Sequence, residues 1–424
     1  MHKLALLFPG QGSQKTGMGK KWTDEFKVAR HTFEEANDAL GFNLQELILT
    51  GSEMELRKTE NAQPAILATS IAAYRVYMQE TGVEPVMVAG HSLGEFSALC
   101  AAGCLEFADA VRIVRTRGML MGSILSEPAG TMSAVGQLSK QEIREVLARV
   151  SRENHRVVIS NYNAPNQIVI SGHQPAVEEA SSMLEKMGAR VTPLKVSAPF
   201  HSPLMEPAAI QLEEELKKYS FKVLRYPVLS NVTARPYAGP EQIIQLLVEQ
   251  MTAPVRWSES VTYMRKQGIT LALEMGPETV LRTLIRKNTP LIDSYAFDRE
   301  AERERAHSLL VDPVSVKGKA VTIVTRCLAV AVCTKNSNPD LEEYRTGFQE
   351  PYREIAKMQE SLEEQGTEPT LDQMRRSLDM LRLAFRTKRT PLEEQIERFE
   401  QIFRETGRQD LSSDYLHEWQ LSAN

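Results

Sequence analysis

The chain has 424 residues, 42% of them hydrophobic and 25% charged, with a formal net charge of -5. That length is ample for a buried core and for two or three domains, and the acidic balance argues against nucleic acid as the main partner. Four cysteines (Cys100, Cys104, Cys327, Cys333) lack Cys-x2-Cys spacing, which excludes the usual zinc patterns and points to reduced structural thiols.

Residues 3–8 read as a buried strand. Their apolar run, Leu4 to Phe8, is too short for a signal peptide. No stretch reaches transmembrane length, so no membrane association and a cytoplasmic location are expected. A loop, Gly10-Gln-Gly-Ser-Gln14, comes next, then helical patterns around 21–40 and 62–81. Residues 85–90 read as a short strand that leads into His91-Ser92-Leu93-Gly94-Glu95 and a helix of small residues from Phe96 to Ala102. Strands alternating with helices predict a parallel sheet covered on both faces.

Residues 128–198 carry their own β-α-β-β-α-β rhythm. The strands are placed at 130–136, 157–160, 167–170 and 190–197, with helices at 140–150 and 176–187 and a turn over 161–166. This is the split βαβ order of a ferredoxin-like domain, inserted into the larger one. The larger domain resumes at 199–297, with strands at 228–231 and 270–274 and a helix to Arg286. Residues 1–127 are thus its first part, and 298–424 form an extension, largely helical from about 340. Within the extension, 320–334 reads equally as strand or buried helix. Thr370 to Gln373 and Thr390 to Glu393 have the spacing of capping boxes, the second with Pro391 at the first helical position. Leu371, Met374, Leu378 and Leu381 make one apolar stripe, and Leu392, Ile396, Phe399 and Phe403 make another. The expected outcome is a helical hairpin packed on itself or on the core.

Gly90-His91-Ser92-Leu93-Gly94 matches Gly-x-Ser-x-Gly between a short strand and a helix, the context of a nucleophile elbow. A serine nucleophile needs a base. His91 is adjacent, but neighbours on a tight turn diverge, so a structural role is expected for it. Of the remaining histidines, His201 alone follows a strand and returns to the large domain. A glycine loop after a strand suggests phosphate binding, but neither phosphate-binding pattern is complete here. Lys15 breaks a dinucleotide fingerprint, and Gln14 and Lys21 break a Walker loop. A loop at the carboxyl end of a strand remains, with an N–H group available as an oxyanion donor beside that of Leu93.

Five motifs then occur in order: Phe-Pro-Gly-Gln-Gly-Ser-Gln (8–14), Gly-His-Ser-Leu-Gly-Glu (90–95), Arg117-Gly118, Ala-Pro-Phe-His-Ser (198–202) and Gln250…Pro254…Trp257. Together, over about residues 1–297, they resemble the malonyl-CoA:acyl carrier protein transacylase family. The resemblance implies an α/β-hydrolase-like core with an inserted ferredoxin-like subdomain. It implies malonyl transfer from malonyl-CoA to the phosphopantetheine thiol of an acyl carrier protein, with no bound cofactor; no metal is expected either, since the sequence shows no ligand cluster.

By the same resemblance Ser92 is the nucleophile and His201 the base, oriented by Gln250 with Asn231 near. Gln11 and Leu93 supply oxyanion donors. Arg117 pairs with the free carboxylate of malonate, whereas residue chemistry alone allows a surface salt bridge in a basic helix with Arg112 and Arg115. Phe200 would crowd a 2-methyl branch. Met121 is followed by Gly122 where many relatives have Gln, which leaves one pocket wall open. The extension suggests a discrete enzyme acting in trans for a polyketide assembly line. Competing readings are a serine hydrolase that releases acyl groups from carrier proteins and a non-catalytic docking subunit.

Overall fold

A computed structural model describes residues 2–124, 130–194, 196, 198–311, 322–365, 367–412 and 415. The strands among them are β1 (Leu4–Phe8), β2 (Met87–Gly90), β3 (Gly130–Gly136), β4 (Val157–Ala164), β5 (Gln167–His173), β6 (Arg190–Pro193), β7 (Val228–Leu229), β8 (Leu271–Glu274) and β9 (Asp293–Ala296). Five of them form a parallel sheet in the order β7-β2-β1-β8-β9. The period-2 alternation of strand side chains divides β1 between two cores. Leu4, Leu6 and Phe8 join the cluster that includes Ile66, Phe96 and Val114, while Ala5 and Leu7 join Trp257, Val261 and Ile285 on the other side. Both faces are therefore covered, as a parallel sheet requires.

The second sheet is antiparallel with order β4-β5-β3-β6, the strand order of a split βαβ domain. Helices Lys140–Val150 and Gln174–Lys186 pack Ile143, Val146, Val177 and Ala180 against it. The strand β4 runs on to Ala164, where a turn beginning at 161 was expected. Register shifts at Ile159/Asn161 and Tyr162/Ala164 interrupt its pairing with β5. Asn161 makes a bridge to Val255, which ties this domain to the segment beside Gln250. β6 stops at Pro193, short of the expected 197, and residues 195 and 197 lie outside the described ones. So does the expected boundary between 127 and 128.

The helical pattern at 21–40 is two helices, Lys20–Glu25 and Lys27–Leu40, separated at Phe26 by extended backbone. The chain divides into two compact units, Met1–Pro313 and Val314–Asn424. The first extends past the expected end at 297, because helix Glu300–Val311 belongs to it. Ala306 is part of its core, and Glu302 accepts from the Ala296 N–H at 2.8 Å and pairs with Arg282.

In the second unit residues 323–333 are helical rather than strand. Thr322 opens that helix with a capping box, and Ile323, Val324, Cys327 and Ala331 enter the unit's own core with Leu378, Phe385, Phe399 and Phe403. The stripes thus pack on one another, except that Leu371 and Leu392, each the first residue of its helix, stay exposed. The Thr370 capping box forms, but the Thr390 one does not. The Thr390 N–H is held by the preceding helix at Phe385 O (2.9 Å), and Pro391 takes the cap position. Lys388 is buried, its ammonium donating to Ala331 O (2.6 Å) and Thr334 O (3.0 Å) at a helix C-terminus and lying 3.9 Å from the Phe348 ring centre. No helix among the described residues is long and apolar enough to cross a membrane.

Candidate active site

The site lies where β1, β2 and β7 end, at the carboxyl edge of the parallel sheet. After Gly90 the chain turns sharply, and Ser92 sits at φ 53°, ψ -109° before helix Leu93–Ala101 begins. Such a conformation in a non-glycine residue costs about 1–3 kcal/mol and persists only where its surroundings impose it. Here two amides impose it. Asn231 Oδ1 accepts from the Ser92 N–H (2.6 Å) while its Nδ2 donates to Gly90 O (2.6 Å). Gln250 Nε2 donates to the Ser92 carbonyl at 3.0 Å.

The flanking glycines are required by close approach. A β-carbon on Gly90 would lie 1.9 Å from Gly94 O, and one on Gly94 would lie 1.9 Å from Phe8 O. The neighbours are backbone atoms that cannot step aside. Gly94→Ala should therefore cost more than about 3 kcal/mol, measured as a lowered thermal midpoint of the first unit. An unchanged midpoint would mean that β1 and the elbow helix are not in this contact.

His201 is also left-handed, at φ 55°. Its Nε2 lies 2.8 Å from Ser92 Oγ and its Nδ1 lies 2.7 Å from Gln250 O. A backbone carbonyl only accepts, so Nδ1 carries the proton and Nε2 offers its lone pair to the serine. Burial, and then the nearby charge of Arg117, push the imidazole down to about 3, so it is neutral throughout the physiological range. His91 faces away. Its Nε2 bonds Asn163 Oδ1 at 2.8 Å and its ring packs on Trp257, which joins the elbow to β4.

Arg117 is 1% exposed, so the surface salt-bridge reading does not hold for it. Helix Phe107–Ser123 carries it inward, while Arg112 pairs with Asp109 at the surface and Arg115 binds Glu60 O. Its Nη1 donates to Gln63 Oε1 (2.8 Å), and its Nη2 to Gln250 Oε1 (2.9 Å) and Ser92 Oγ (3.3 Å). Among the described residues its Nε has no hydrogen-bond partner. Burial lowers its pKa to about 10, against the pull of Glu95, so it stays charged.

Met121, one turn on, is buried with its Sδ 3.4 Å from Gln63 Nε2. Phe200 is buried in the main core beside His201. Leu93 opens the elbow helix, where N–H groups lack intrahelical partners. The loop bearing Gln11 rides over the elbow: a β-carbon on Gly10 would meet His91 O at 2.4 Å, and Gln11 Nε2 reaches Thr59 Oγ1 at 3.2 Å.

The structure thus brings Ser92, His201, Arg117 and Gln250 together, but it assigns Asn231 to the elbow rather than to the histidine. Gln250 meets the histidine through its backbone carbonyl, leaving its side chain for Arg117. Two residues were missed. Gln63 is a fully buried polar side chain on helix Thr59–Thr81, which also buries Asn61, Thr69 and Ser70, so nothing in the sequence singled it out. Glu95 is a fully buried acid in the elbow motif itself. Among the described residues no group of three His, Cys, Asp or Glu is placed to hold a metal ion.

The fold and this cluster define an acyltransferase, and the family model for the acyl transferase domain matches residues 5–294. A malonyl CoA-acyl carrier protein transacylase of Bacillus subtilis is 39% identical over 400 residues, covering 93% of this chain and 99% of its own. The corresponding protein of Escherichia coli K12 is 40% identical over 310 residues, 73% of this chain and 100% of its own. A malonyl-transacylase solved in complex with its type II polyketide synthase acyl carrier protein superposes with a TM-score of 0.70 at 39% identity, covering 72% of this chain and 99% of that one. The chain belongs to the malonyl-CoA:acyl carrier protein transacylase family.

Proposed function

We propose that the protein takes the malonyl group of malonyl-CoA onto Ser92 and passes it to the phosphopantetheine thiol of an acyl carrier protein, supplying polyketide or fatty acid synthesis in the cytoplasm. In the first half, His201 Nε2 removes the Ser92 proton as Oγ attacks the thioester carbon. The carbonyl oxygen becomes an oxyanion between the N–H groups of Gln11 and Leu93. The C–S bond then breaks, and the imidazolium returns its proton to the coenzyme A thiolate. The second half repeats these steps with the carrier thiol as nucleophile and Ser92 as leaving group. No metal or resident cofactor takes part in this reading.

One observation carries the proposal: a buried guanidinium 3.3 Å from the nucleophile's oxygen. The free carboxylate of malonate stands two bonds from the carbon that Ser92 attacks, within reach of that guanidinium, whose planar donors match it. The pairing also affects the base. Arg117 disfavours an imidazolium at His201, and a carboxylate on Arg117 relieves that. The substrate's own charge therefore favours proton transfer from Ser92. A hydrolase acting on neutral acyl chains has no use for this buried cation.

Phe200 restricts the space for a 2-methyl branch, and Met121 forms a wall through Gln63. One methyl decides only about 1–3 kcal/mol, so methylmalonyl is disfavoured rather than excluded. The test is intact mass spectrometry after incubation with malonyl-CoA, then transfer to a phosphopantetheinylated carrier protein. A malonyl adduct that the carrier discharges is expected, whereas rapid free malonate in place of an adduct supports hydrolysis.

The second unit supports a discrete enzyme acting in trans. The Bacillus subtilis relative aligns over enough of the chain to include much of it. Deleting residues 314–424 is expected to spare Ser92 loading and to slow transfer to a polyketide carrier protein more than to a fatty acid one. Equal rates with both carriers before and after deletion would remove that assignment.

A further inference from the structure

The carboxylate of Glu95 takes no part in the steps above, yet the hydrogen bonds that shape the site converge on it. It is fully buried on the elbow helix, one turn after Ser92. Tyr237 Oη donates to its Oε1, Gln250 Nε2 donates to its Oε2 at 2.6 Å, and the Asn231 N–H lies 3.2 Å from both oxygens. Two of these partners also touch the reacting residues. Asn231 holds the Ser92 N–H, and the Gln250 side chain spans from Glu95 and the Ser92 carbonyl to Arg117.

The two ends of the Gln250 amide have the same outline but opposite hydrogen-bonding character. Arg117 only donates, so it requires the oxygen end. A carboxylate only accepts, so Glu95 admits only the nitrogen end. Turning the amide over would set oxygen against the carboxylate and the Ser92 carbonyl and NH2 against the guanidinium, replacing three attractive contacts with three repulsive ones in a buried site. Glu95, at the shorter contact, and the Ser92 carbonyl together fix the amide, and the amide, with Gln63, fixes the guanidinium.

We propose that Glu95 is the positioning residue that sets Arg117 for a carboxylated acyl group, acting through the side-chain amide of Gln250; this rests on the malonyl-transfer reading above. Burial raises the Glu95 carboxyl to about 7, while its three donors and Arg117 favour the anion, so the effect is best read on the alkaline side of neutrality.

The experiment compares single-turnover acylation of Ser92 by malonyl-CoA and by acetyl-CoA in the full-length protein. Glu95→Gln is nearly isosteric, but its amide both donates and accepts, so it removes one of the contacts that hold Gln250 in a single orientation and leaves only those to the Ser92 carbonyl and Arg117. The malonyl-to-acetyl rate ratio should fall roughly tenfold, a coupling typical of residues in one hydrogen-bonded network. In an Arg117→Ala background the same substitution should change the ratio by less than about twofold, as expected once the shared partner is gone. Equal losses with both thioesters would show a merely structural role and overturn the inference. So would an unchanged ratio, or the same change without Arg117. If Glu95→Gln does not fold, Gln250→Leu breaks the link at its middle, keeps the carbonyl that holds His201, and should lower the ratio in the same way. Wild-type protein that forms no malonyl adduct overturns the underlying reading itself, whereas wild-type loading with an indifferent Glu95→Gln overturns only the inference.

Discussion

Ser92→Ala should reduce malonyl transfer by roughly 10⁶-fold, the scale seen when the nucleophile of a serine–histidine pair is removed. His201→Ala should fall almost as far, and the double variant no further, because the two residues make one proton-coupled unit. The geometry supports this. Ser92 Oγ is 2.8 Å from an imidazole held as a base by the Gln250 carbonyl, and both residues occupy left-handed backbone that is costly to maintain for any other purpose. Stopped-flow release of coenzyme A thiol measures the first half-reaction directly. Transfer by Ser92→Ala within tenfold of the wild-type rate would mean that the acyl group never rests on this oxygen.

Arg117→Ala should exchange one specificity for another. Loading from malonyl-CoA is expected to fall by about 10²–10⁴-fold, since the lost pair is buried and such losses cost about 3–5 kcal/mol. Loading from acetyl-CoA should rise, because a neutral acyl group no longer leaves a buried cation unpaired. The base should change as well. Burial is the main cause that holds His201 down to about 3, and Arg117 is the second. Removing the cation moves the imidazole upward toward its ordinary value. The wild-type acetyl rate should thus show no acid limb from His201 between about pH 5 and about pH 8, whereas the variant's limb should shift upward toward that range. Rates that fall alike for malonyl-CoA and acetyl-CoA, with no change in pH profile, would rule out the carboxylate pairing.

Much of the site was legible in the chain because some physical requirements are local. A serine between glycines at a strand-to-helix junction announces a strained turn whatever lies around it. The β-carbon contacts at Gly90 and Gly94 show why no other residue serves there. The alternating strands and helices announced a covered parallel sheet, and β1 shows the reason, with successive side chains entering opposite cores. Boundaries were less legible. Helix Glu300–Val311 is polar by composition, and it is its tertiary contacts, such as those of Ala306 and Glu302, that show it belongs to the first unit. Residues 320–334 were ambiguous because a short apolar run suits a buried strand and a buried helix equally, and it was the capping box at Thr322 that began a helix.

By itself the sequence determined the nucleophile turn, the two-domain alternation and, through its ordered motifs, the family and the candidate residues. It left open whether Arg117 was a surface ion or a buried clamp, it grouped Asn231 with the histidine rather than with the elbow, and it gave no role to Glu95 or Gln63. Those answers depend on residues far apart in the chain, such as Glu95 with Gln250 and Gln63 with Arg117, meeting in one desolvated volume. Local pattern records which way a chain turns. The value of a charge depends on what water it has lost and which donors surround it, and only the packed tertiary structure sets those.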